Sequence, residues 1–349
     1  MVNVYLMAFA VALVMTAALT PATIWLAKRF GVMDMPDPRK VHSVPIPRWG
    51  GLAMFIGFCS SLFSVWLVIP RFRQLLDFRH KILQGQEIIG MLSLQQQFAG
   101  IVVGACLVLI LGMMDDRKPV PALPKLLIQI IASYAAMVYG VRIAGLAFPG
   151  HGFVEFPILL SQIVTVFWMI GFMNSINLVD GLDGLVAGLV AIAAGTFLVV
   201  CVLQGETKIL LFAKQLKLAA VLAAAVSGAC LGFLFFNFNP AKVFMGDGGA
   251  LFLGFMLGAI SVIGTLKTTA MMALFIPIFV VAVPVLDVAF AIFRRLRSGQ
   301  GLMQPDRGHF HHRLLALGWT QREIVLLVYV LTLLLSMLTL LVTVFKGRI

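Results

Sequence analysis

The chain has 349 residues, of which 61% are hydrophobic and 11% are charged, and its mean hydropathy is +1.04. A soluble domain is about half apolar and about one quarter charged, so this composition excludes a chain of soluble domains and predicts an all-α, polytopic membrane helix bundle. The formal net charge of +12 suits a protein that borders anionic lipid and binds anionic substrates. That charge would also suit nucleic acid, but so apolar a chain argues against nucleic acid as a partner.

Apolar runs of about 20 residues, the length needed to cross a bilayer, recur along the whole sequence. Ten spans are predicted, at 3–27, 49–70, 98–114, 122–140, 157–174, 184–203, 217–236, 249–266, 270–293 and 323–345. The runs at 98–114 and 157–174 are short, so we expect about ten spans, or eleven. Residues 1–349 are interpreted as one integral membrane domain. The segment 71–97 has the least membrane character and is predicted to form a small extramembrane helix or loop.

The loops between these spans divide the charged residues unevenly between the two membrane faces. With ten spans, one face carries the loops 28–48, 115–121, 175–183, 237–248 and 294–322. Lys and Arg favour this face weakly, which places it in the cytoplasm. Most of the acidic residues lie there or at the helix ends that face it: Asp34, Asp37, Asp115, Asp116, Asp180, Asp183, Asp247, Asp287, Asp306 and Glu323. Acids gathered among basic residues on one face indicate a divalent-metal site that also binds phosphates.

Two polar clusters lie in the first third of the chain. The basic, proline-rich loop 39–51 contains Arg48, a candidate for gripping a phosphate, although ordinary positive flanking of a span explains the loop equally well. Asp115 and Asp116 end the third predicted span, where adjacent carboxylates repel unless a cation or a shared proton neutralises them. Mg²⁺ prefers oxygen ligands and bridges carboxylates to phosphates, and Mn²⁺ is an alternative. One acid could bind metal while its neighbour accepts a proton; a hydrated turn is the other interpretation.

A third cluster, N-S-I-N-L-V-D-G-L-D-G-L-V-A-G at 174–188, joins two long apolar runs. Asp180 and Asp183 lie three residues apart, so on a helical turn they would share a face, and Asn174 and Asn177 precede them. Polar residues beside membrane-length apolar runs are unfavourable in lipid and therefore indicate a site. A polar loop with an aspartate helix cap is the alternative.

The last two clusters lie beyond residue 236. In N-F-N-P-A-K-V-F-M-G-D-G-G, residues 237–249, glycines surround Asp247, and the backbone N–H groups of such a turn at a helix start hold phosphate well. Phe244 could stack on a base, but it is equally a filler of the membrane interface. In P-D-R-G-H-F-H-H-R-L-L, residues 305–315, two arginines flank three histidines, which favours phosphate contact or proton handling over a zinc site.

These motifs together resemble a known family. D-D-R-K at 115–118, N-x-x-N-x-x-D-G-x-D-G-L at 174–185, the stretch 237–249 and H-x-H-H-R-L at 309–314 occur in this order. The chain is similar to the polyprenyl-phosphate N-acetylhexosamine-1-phosphate transferases of glycosyltransferase family 4, over about residues 1–345. The H-F-H-H-R-L run resembles the branch that uses UDP-N-acetylglucosamine and undecaprenyl phosphate.

The resemblance implies a role for each matching residue. The residues expected to act in catalysis are Asp115, Asp116, Asp180, Asp183 and His309. Those expected to bind substrate, including two near the uridine, are Asn177, Asn237, Phe244, His311 and His312, to which the basic Arg307 and Arg48 are added. The expected Mg²⁺ ligands are Asp247 and Asp116.

The reaction implied is the transfer of N-acetylhexosamine-1-phosphate, most simply GlcNAc-1-phosphate, from a UDP-sugar to undecaprenyl phosphate, with release of UMP. It would be the first membrane step of a cell-surface glycan such as lipopolysaccharide, at the cytoplasmic face of a bacterial inner membrane. The resemblance also suggests a homodimer, although the sequence does not fix the oligomeric state. Two alternatives are a secondary transporter for an anionic solute and a lipid-binding scaffold with an inactive site. The clustering of polar residues at one face, rather than at the midplane, disfavours the transporter.

Overall fold

The computed structural model describes residues 1–36, 43–84, 87–148, 152–205, 209–264, 314 and 317–346. In these residues the chain forms ten α-helices and three two-stranded antiparallel β-ribbons. Eight of the helices are long and apolar enough to cross a membrane, judged by length and composition. The predicted polytopic helical membrane bundle is therefore confirmed.

The elements follow one another in a simple order. The helices are α1 Val2–Arg29, α2 Gly50–Val68, α3 Pro70–Leu76, α4 Leu94–Arg117, α5 Ala122–Val138, α6 Ile158–Val179, α7 Leu185–Gln204, α8 Leu210–Asn237, α9 Gly246–Gly264 and α10 Gln321–Lys346. The strands are β1 Met33–Asp34 paired with β2 Ile46–Pro47, β3 Arg79–Gln84 paired with β4 Glu87–Ser93, and β5 Gly145–Phe148 paired with β6 Gly152–Glu155.

The two spans that looked short in the sequence are longer in the structure. The run 98–114 becomes α4, with 24 residues, and 157–174 becomes α6, with 22 residues. Both helices continue into polar residues that a hydropathy pattern excludes. Segment 71–97 contains α3 and the β3–β4 ribbon, so the predicted small helix is present, but about half of the segment is strand. The predicted span 270–293 lies outside the described residues.

The centre of the bundle is formed by α8 and α9. Nearly all residues of α9 and most of α8 are buried, and alanine and glycine predominate where α8 packs against α1 and α7. Small residues allow such close approach, which drives helix association in lipid. The outer faces of α1, α6 and α10 carry exposed large apolar side chains such as Phe167, as expected for surfaces that contact lipid tails.

Alternating direction brings many helix ends to one membrane face, which we call the site face. There α1, α4, α6 and α8 end, while α2, α5, α7, α9 and α10 begin. Backbone bonds across this face connect Gly50 N to the Phe244 carbonyl and Gly51 N to the Met245 carbonyl, each at 3.0 Å or less. The opposite face, the far face, carries α3 and the β3–β4 and β5–β6 ribbons.

The α1–α8 contact requires a residue without a side chain at Gly228. A Cβ atom there would lie 2.2 Å from the carbonyl oxygen of Phe9, an impossible approach between a carbon and a backbone atom. We therefore expect Gly228→Ala to separate the two helices and to lower stability by about 1–3 kcal/mol, the usual effect of overpacking. The measurement is the melting temperature of the purified protein in detergent.

Gly171→Ala is the matched control, because a Cβ atom at Gly171 has no neighbour within 4 Å among the described residues. Alanine is the better helix former, so this variant should melt at the same temperature or slightly higher. Equal melting temperatures for the two variants would show that α1 and α8 are not packed as the structure has them.

Candidate active site

The Asp115–Asp116 pair closes the last turn of α4, and Asp116 connects this helix to the start of α9. Its carboxylate accepts hydrogen bonds from the backbone N–H of Asp247 at 3.0 Å and of Gly248 at 3.5 Å. A carboxylate at the C-terminus of its own helix is unfavourable, but at the N-terminus of another helix it satisfies free N–H groups and meets a positive dipole. The glycine turn predicted to hold phosphate thus directs these two N–H groups at Asp116 instead.

The close contact between α4 and α9 depends on Gly112. A Cβ atom at this position would lie 2.2 Å from the backbone nitrogen of Gly248. Only a glycine lets the last turns of α4 come alongside the first turn of α9. This packing sets the distance between the Asp116 carboxylate and the N–H groups that it accepts.

Lys125 holds two of the carboxylates together. Its ammonium group lies 2.7 Å from Oδ2 of Asp247 and forms a second ion pair with Asp115. Asp115 also accepts a hydrogen bond of 2.7 Å from the backbone N–H of Val120. Lys125 lies in the first turn of α5, so the cluster joins α4, α5 and α9. The positive charge between the two acids offsets a repulsion that would otherwise separate them.

The sequence interpretation missed Lys125, although a signal was present. It is the one charged residue in the predicted span 122–140. An ionisable residue inside a span is a functional-site hypothesis by default, with a partner of opposite charge to be found.

Arg48 approaches the cluster from the side of the β1–β2 ribbon. Its guanidinium forms an ion pair with the buried Asp34 of β1 and reaches Oδ1 of Asp116 at 3.5 Å. The ribbon positions it: Asp34 pairs with Ile46, two residues before Arg48. In this structure the predicted phosphate-gripping arginine therefore contacts two carboxylates.

Asp180 and Asp183 do not share a helical turn, contrary to expectation. α6 continues to Val179, and both acids lie in the tight turn before α7, with Asp180 as the cap of α6. The helix continues past the polar residues 174–177, so the turn is shorter than the sequence suggested. Burial and then the charges of Asp247 and Asp116 raise the pKa of Asp180 to about 8, against the opposing effect of Arg48. Asp180 thus belongs electrostatically to the cluster.

Asp183 faces the loop that connects α8 to α9. Its Oδ2 atom accepts hydrogen bonds from the Asn239 side chain and from the backbone N–H of Ala241, both at 3.0 Å. Its backbone N–H donates to the side chain of Gln321 at the start of α10. The carboxylate is nearly buried, so here it fastens three chain segments together.

The side chain of Asn237 also connects two backbone segments by hydrogen bonds. Its Oδ1 atom accepts from the N–H of Gly184 at 3.1 Å, and its Nδ2 donates to the carbonyl of Val243 at 2.9 Å. The side chain is buried, so both ends of the amide serve the fold. Asn177 and Phe244 are half-buried at the same face, where a substrate role for each stays a prediction. His309, His311, His312 and Arg307 lie outside the described residues.

The carboxylates of the cluster do not enclose a metal ion by themselves, but they match the usual way in which Mg²⁺ is bound. Among the described residues, no group of three or more His, Cys, Asp and Glu side chains is arranged to enclose a metal ion. Mg²⁺ is usually bound by one or two carboxylates, with water and substrate phosphates as the remaining ligands. Asp247, exposed on one side and bonded to Lys125 on the other, fits that pattern with Asp116 beside it. Oδ2 of Asp116 accepts one hydrogen bond and keeps a second lone pair, whereas Oδ1 accepts two, from the Asp247 N–H and from Arg48.

Bundle and cluster together define a class: polytopic membrane proteins with an acidic polar site built from helix ends at one face. The family model described as Glycosyl transferase family 4 matches residues 98–265. The chain is 34% identical, over 93% of its length and 81% of the relative's, to a "Probable undecaprenyl-phosphate N-acetylglucosaminyl 1-phosphate transferase" of Bacillus subtilis (strain 168). This chain belongs to glycosyl transferase family 4, as the sequence resemblance predicted.

The names of two further relatives contain polyprenyl phosphates of different length. A "Decaprenyl-phosphate N-acetylglucosaminephosphotransferase" of Mycolicibacterium smegmatis is 37% identical over 88% of this chain and 75% of its own. An "Undecaprenyl-phosphate alpha-N-acetylglucosaminyl 1-phosphate transferase" of Escherichia coli (strain K12) is 28% identical over 87% of this chain and 74% of its own. The names agree on the N-acetylglucosamine group and differ in the polyprenyl chain.

The two asparagines assigned to substrate binding should behave differently when truncated. Asn237→Ala leaves the Gly184 N–H and the Val243 carbonyl unpaired in the protein interior, which should lower stability by about 2–4 kcal/mol. Thermal unfolding of the purified protein in detergent measures this loss.

Asn177→Ala is the comparison, since the same amide is removed from a half-buried position at the same face. Its melting temperature should stay within about a degree or two of the wild type, because substitutions away from buried networks change stability by about 0.5 kcal/mol or less. A wild-type melting temperature for Asn237→Ala would contradict its fastening role.

Proposed function

We propose that this chain transfers N-acetylglucosamine-1-phosphate from UDP-N-acetylglucosamine to undecaprenyl phosphate and releases UMP. The observation that carries the proposal is the cluster of Asp115, Lys125 and Asp247, which three helices assemble at one membrane face. The printed names of relatives that match along most of the chain support the same activity. One substrate is soluble and the other is anchored in lipid, so a site at the interface is accessible to both.

In the proposed reaction, a phosphate oxygen of the lipid attacks the β-phosphorus of the UDP-sugar. A new P–O bond forms, the bond from the β-phosphorus to the bridging oxygen breaks, and UMP leaves with that oxygen. Phosphoryl transfer of this kind is accelerated chiefly by positioning and by stabilisation of negative charge. The second pKa of a phosphate monoester is about 6, so most of the lipid phosphate is already dianionic near neutrality.

The described side chains divide these tasks. Among the described residues, the ammonium of Lys125 is the positive charge closest to Asp115 and Asp247, and it would attract the phosphates of both substrates. Arg48 orients the carboxylate of Asp116 beside the first turn of α9. Asp115 or Asp116 would take any proton from the lipid monoanion. His309, His311, His312 and Arg307 are proposed to bind the diphosphate and sugar.

Mg²⁺, with Mn²⁺ as an alternative, is the proposed cofactor, and Asp247 with Asp116 would hold it. When bound, the ion would neutralise charge on the diphosphate and on the departing UMP. We also propose that the site face lies in the cytoplasm of a bacterial cell, within its inner membrane. Those placements are supported by the weak excess of Lys and Arg at this face and by the bacterial relatives.

The proposed function is tested with purified protein, undecaprenyl phosphate and radiolabelled UDP-N-acetylglucosamine. In the presence of Mg²⁺ we expect equal amounts of UMP and labelled lipid; with EDTA we expect neither, and added Mg²⁺ should restore both. Asp247→Asn should lose at least about 100-fold in rate, the size of effect seen when one stabilising group of a transition state is removed.

UDP-GalNAc and decaprenyl phosphate serve as competing donor and acceptor in the same assay. Faster turnover with UDP-GalNAc would reassign the donor, and full activity in EDTA would exclude Mg²⁺. Failure to release UMP with any donor, together with counterflow of an anion in proteoliposomes, would support the transporter instead.

Replacing Lys125 by methionine should remove most of the activity. The variant keeps an unbranched side chain of similar length but leaves Asp115 and Asp247 without the cation between them. We expect a fall in kcat/KM of at least about 100-fold, since the charge acts on the phosphates as well as on the acids. Initial rates over a range of UDP-sugar concentrations separate kcat from KM.

Lys28→Met is the matched control, because Lys28 is exposed at the end of α1 on the site face. It removes the same charge from the same face and should change kcat/KM by less than about threefold, as expected for an exposed charge screened by salt. Comparable losses in both variants would mean that overall surface charge, rather than the bridge at Lys125, governs the reaction.

A further inference from the structure

An apolar cavity lies between α2 and α4, away from the acidic cluster. Its volume is about 610 Å³, within the range of small-molecule pockets. The lining side chains include Cys59, Phe63 and Trp66 of α2, and Phe98 and Val102 of α4. Phe63 and Trp66 are also exposed on the outside of a membrane-spanning helix, so the cavity opens toward lipid.

The cavity occupies the depth of one leaflet, on the side of the far face. On α2 the lining begins at Cys59, nine residues before the end of the helix at Val68, which corresponds to about 14 Å at 1.5 Å per residue. This is roughly half of a hydrocarbon core of about 30 Å. On α4 the lining begins at Gln95, next to the first residue of the helix. An acyl chain in that leaflet would therefore run along the whole cavity.

Two arginines lie on α3, the short helix that contributes one lining residue to the far-face end of the cavity. Leu76 of α3 is part of the lining, and Phe72 of the same helix packs edge-on against Phe98 with ring centroids 6.2 Å apart. Arg71 and Arg73, on either side of Phe72, are exposed at the far face.

A third arginine approaches the same end from the β3–β4 ribbon. Arg79 pairs across the ribbon with Ser93, the cap of α4. Among the described charges here, Asp77 is the one acid beside three arginines, so the net charge is positive.

We propose that this cavity binds an anionic phospholipid of the leaflet on the far-face side. Its acyl chain lies between α2 and α4, and Arg71, Arg73 and Arg79 hold its phosphate headgroup. The apolar cavity, which has the depth of one leaflet, matches the acyl chain of such a lipid. The guanidinium groups near its far-face end match the phosphate. Each basic residue near an anionic surface adds about 1 kcal/mol of attraction, which corresponds to about fivefold in affinity.

The polyprenyl chain of the proposed substrate fits this cavity less well. Asp116 is 13 residues along α4 from Val103, the lining residue nearest to it, or about 20 Å. A polyprenyl chain with its phosphate at the acidic cluster would have to cross the midplane before entering the cavity. It would also leave the three arginines without an anionic partner.

Trp66 provides a direct measurement, since bromine atoms on a lipid chain quench a tryptophan that they contact. The full chain is placed in phosphatidylcholine vesicles that contain chain-brominated phosphatidylglycerol or chain-brominated phosphatidylcholine. The difference between wild type and Trp66→Phe isolates the Trp66 signal. We expect phosphatidylglycerol to associate at least about fivefold more strongly than phosphatidylcholine, the contribution of one basic residue.

Arg71→Gln/Arg73→Gln, which leaves Arg79 in place, should reduce this preference, and Ala99→Phe, which fills the cavity wall, should reduce quenching by both lipids. Lys28→Gln/Arg29→Gln removes the same charge from the site face and should retain the preference. Equal quenching by the two lipids in wild type would overturn the proposal and leave an ordinary lipid-facing surface. Displacement of brominated phosphatidylglycerol by stoichiometric undecaprenyl phosphate would also overturn it, assigning the cavity to the polyprenyl chain.

Discussion

The structure depends on four carboxylates being kept near one another where helix ends meet the edge of a membrane. Asp115, Asp116, Asp180 and Asp247 would repel strongly in a medium of low dielectric. Lys125 and Arg48 place positive charge among them, and the first turn of α9 adds backbone N–H groups. Each compensating group comes from a different segment, so the cluster exists only when α4, α5, α9 and the β1–β2 ribbon are correctly packed.

Many polar residues around the acidic cluster form hydrogen bonds that hold neighbouring chain segments together. Asn237, Asp183 and the carbonyl of Phe244 all bond to backbone or side chains of neighbouring segments. In a bilayer, removing apolar surface from water contributes little to holding these segments together. Hydrogen bonds and close contacts at glycine are therefore needed. The polar motifs of this chain thus include residues that hold neighbouring segments in position.

The sequence was sufficient for the class of fold and for the acids of the cluster. Long apolar runs can only be membrane helices, and paired acids at their ends need a cation, so Asp115 and Asp116 stand out without any structure. Lys125 could also have been found, because a lysine inside an apolar run needs a partner. The hydrogen bonds from the N–H groups of α9 to Asp116 could not have been predicted, because 131 residues separate Asp116 from Asp247 in the sequence. Nor could the roles of Asn237 and Asn177 be separated, because burial depends on packing that no local pattern encodes.

The length of α5 has a consequence for the membrane around the cluster. The helix has 17 residues, or about 26 Å, and joins the site face to the far face, where Gln97 of α4 donates to Gly140 just beyond its end. A hydrocarbon core of about 30 Å exceeds this length by about 4 Å, and a short helix is accommodated by local thinning. Thinning beside α5 would draw lipid headgroups inward and shorten the distance between the phosphate plane and the ammonium of Lys125. Hydrophobic mismatch at one helix would thereby make bilayer thickness a variable that acts directly on the polar site.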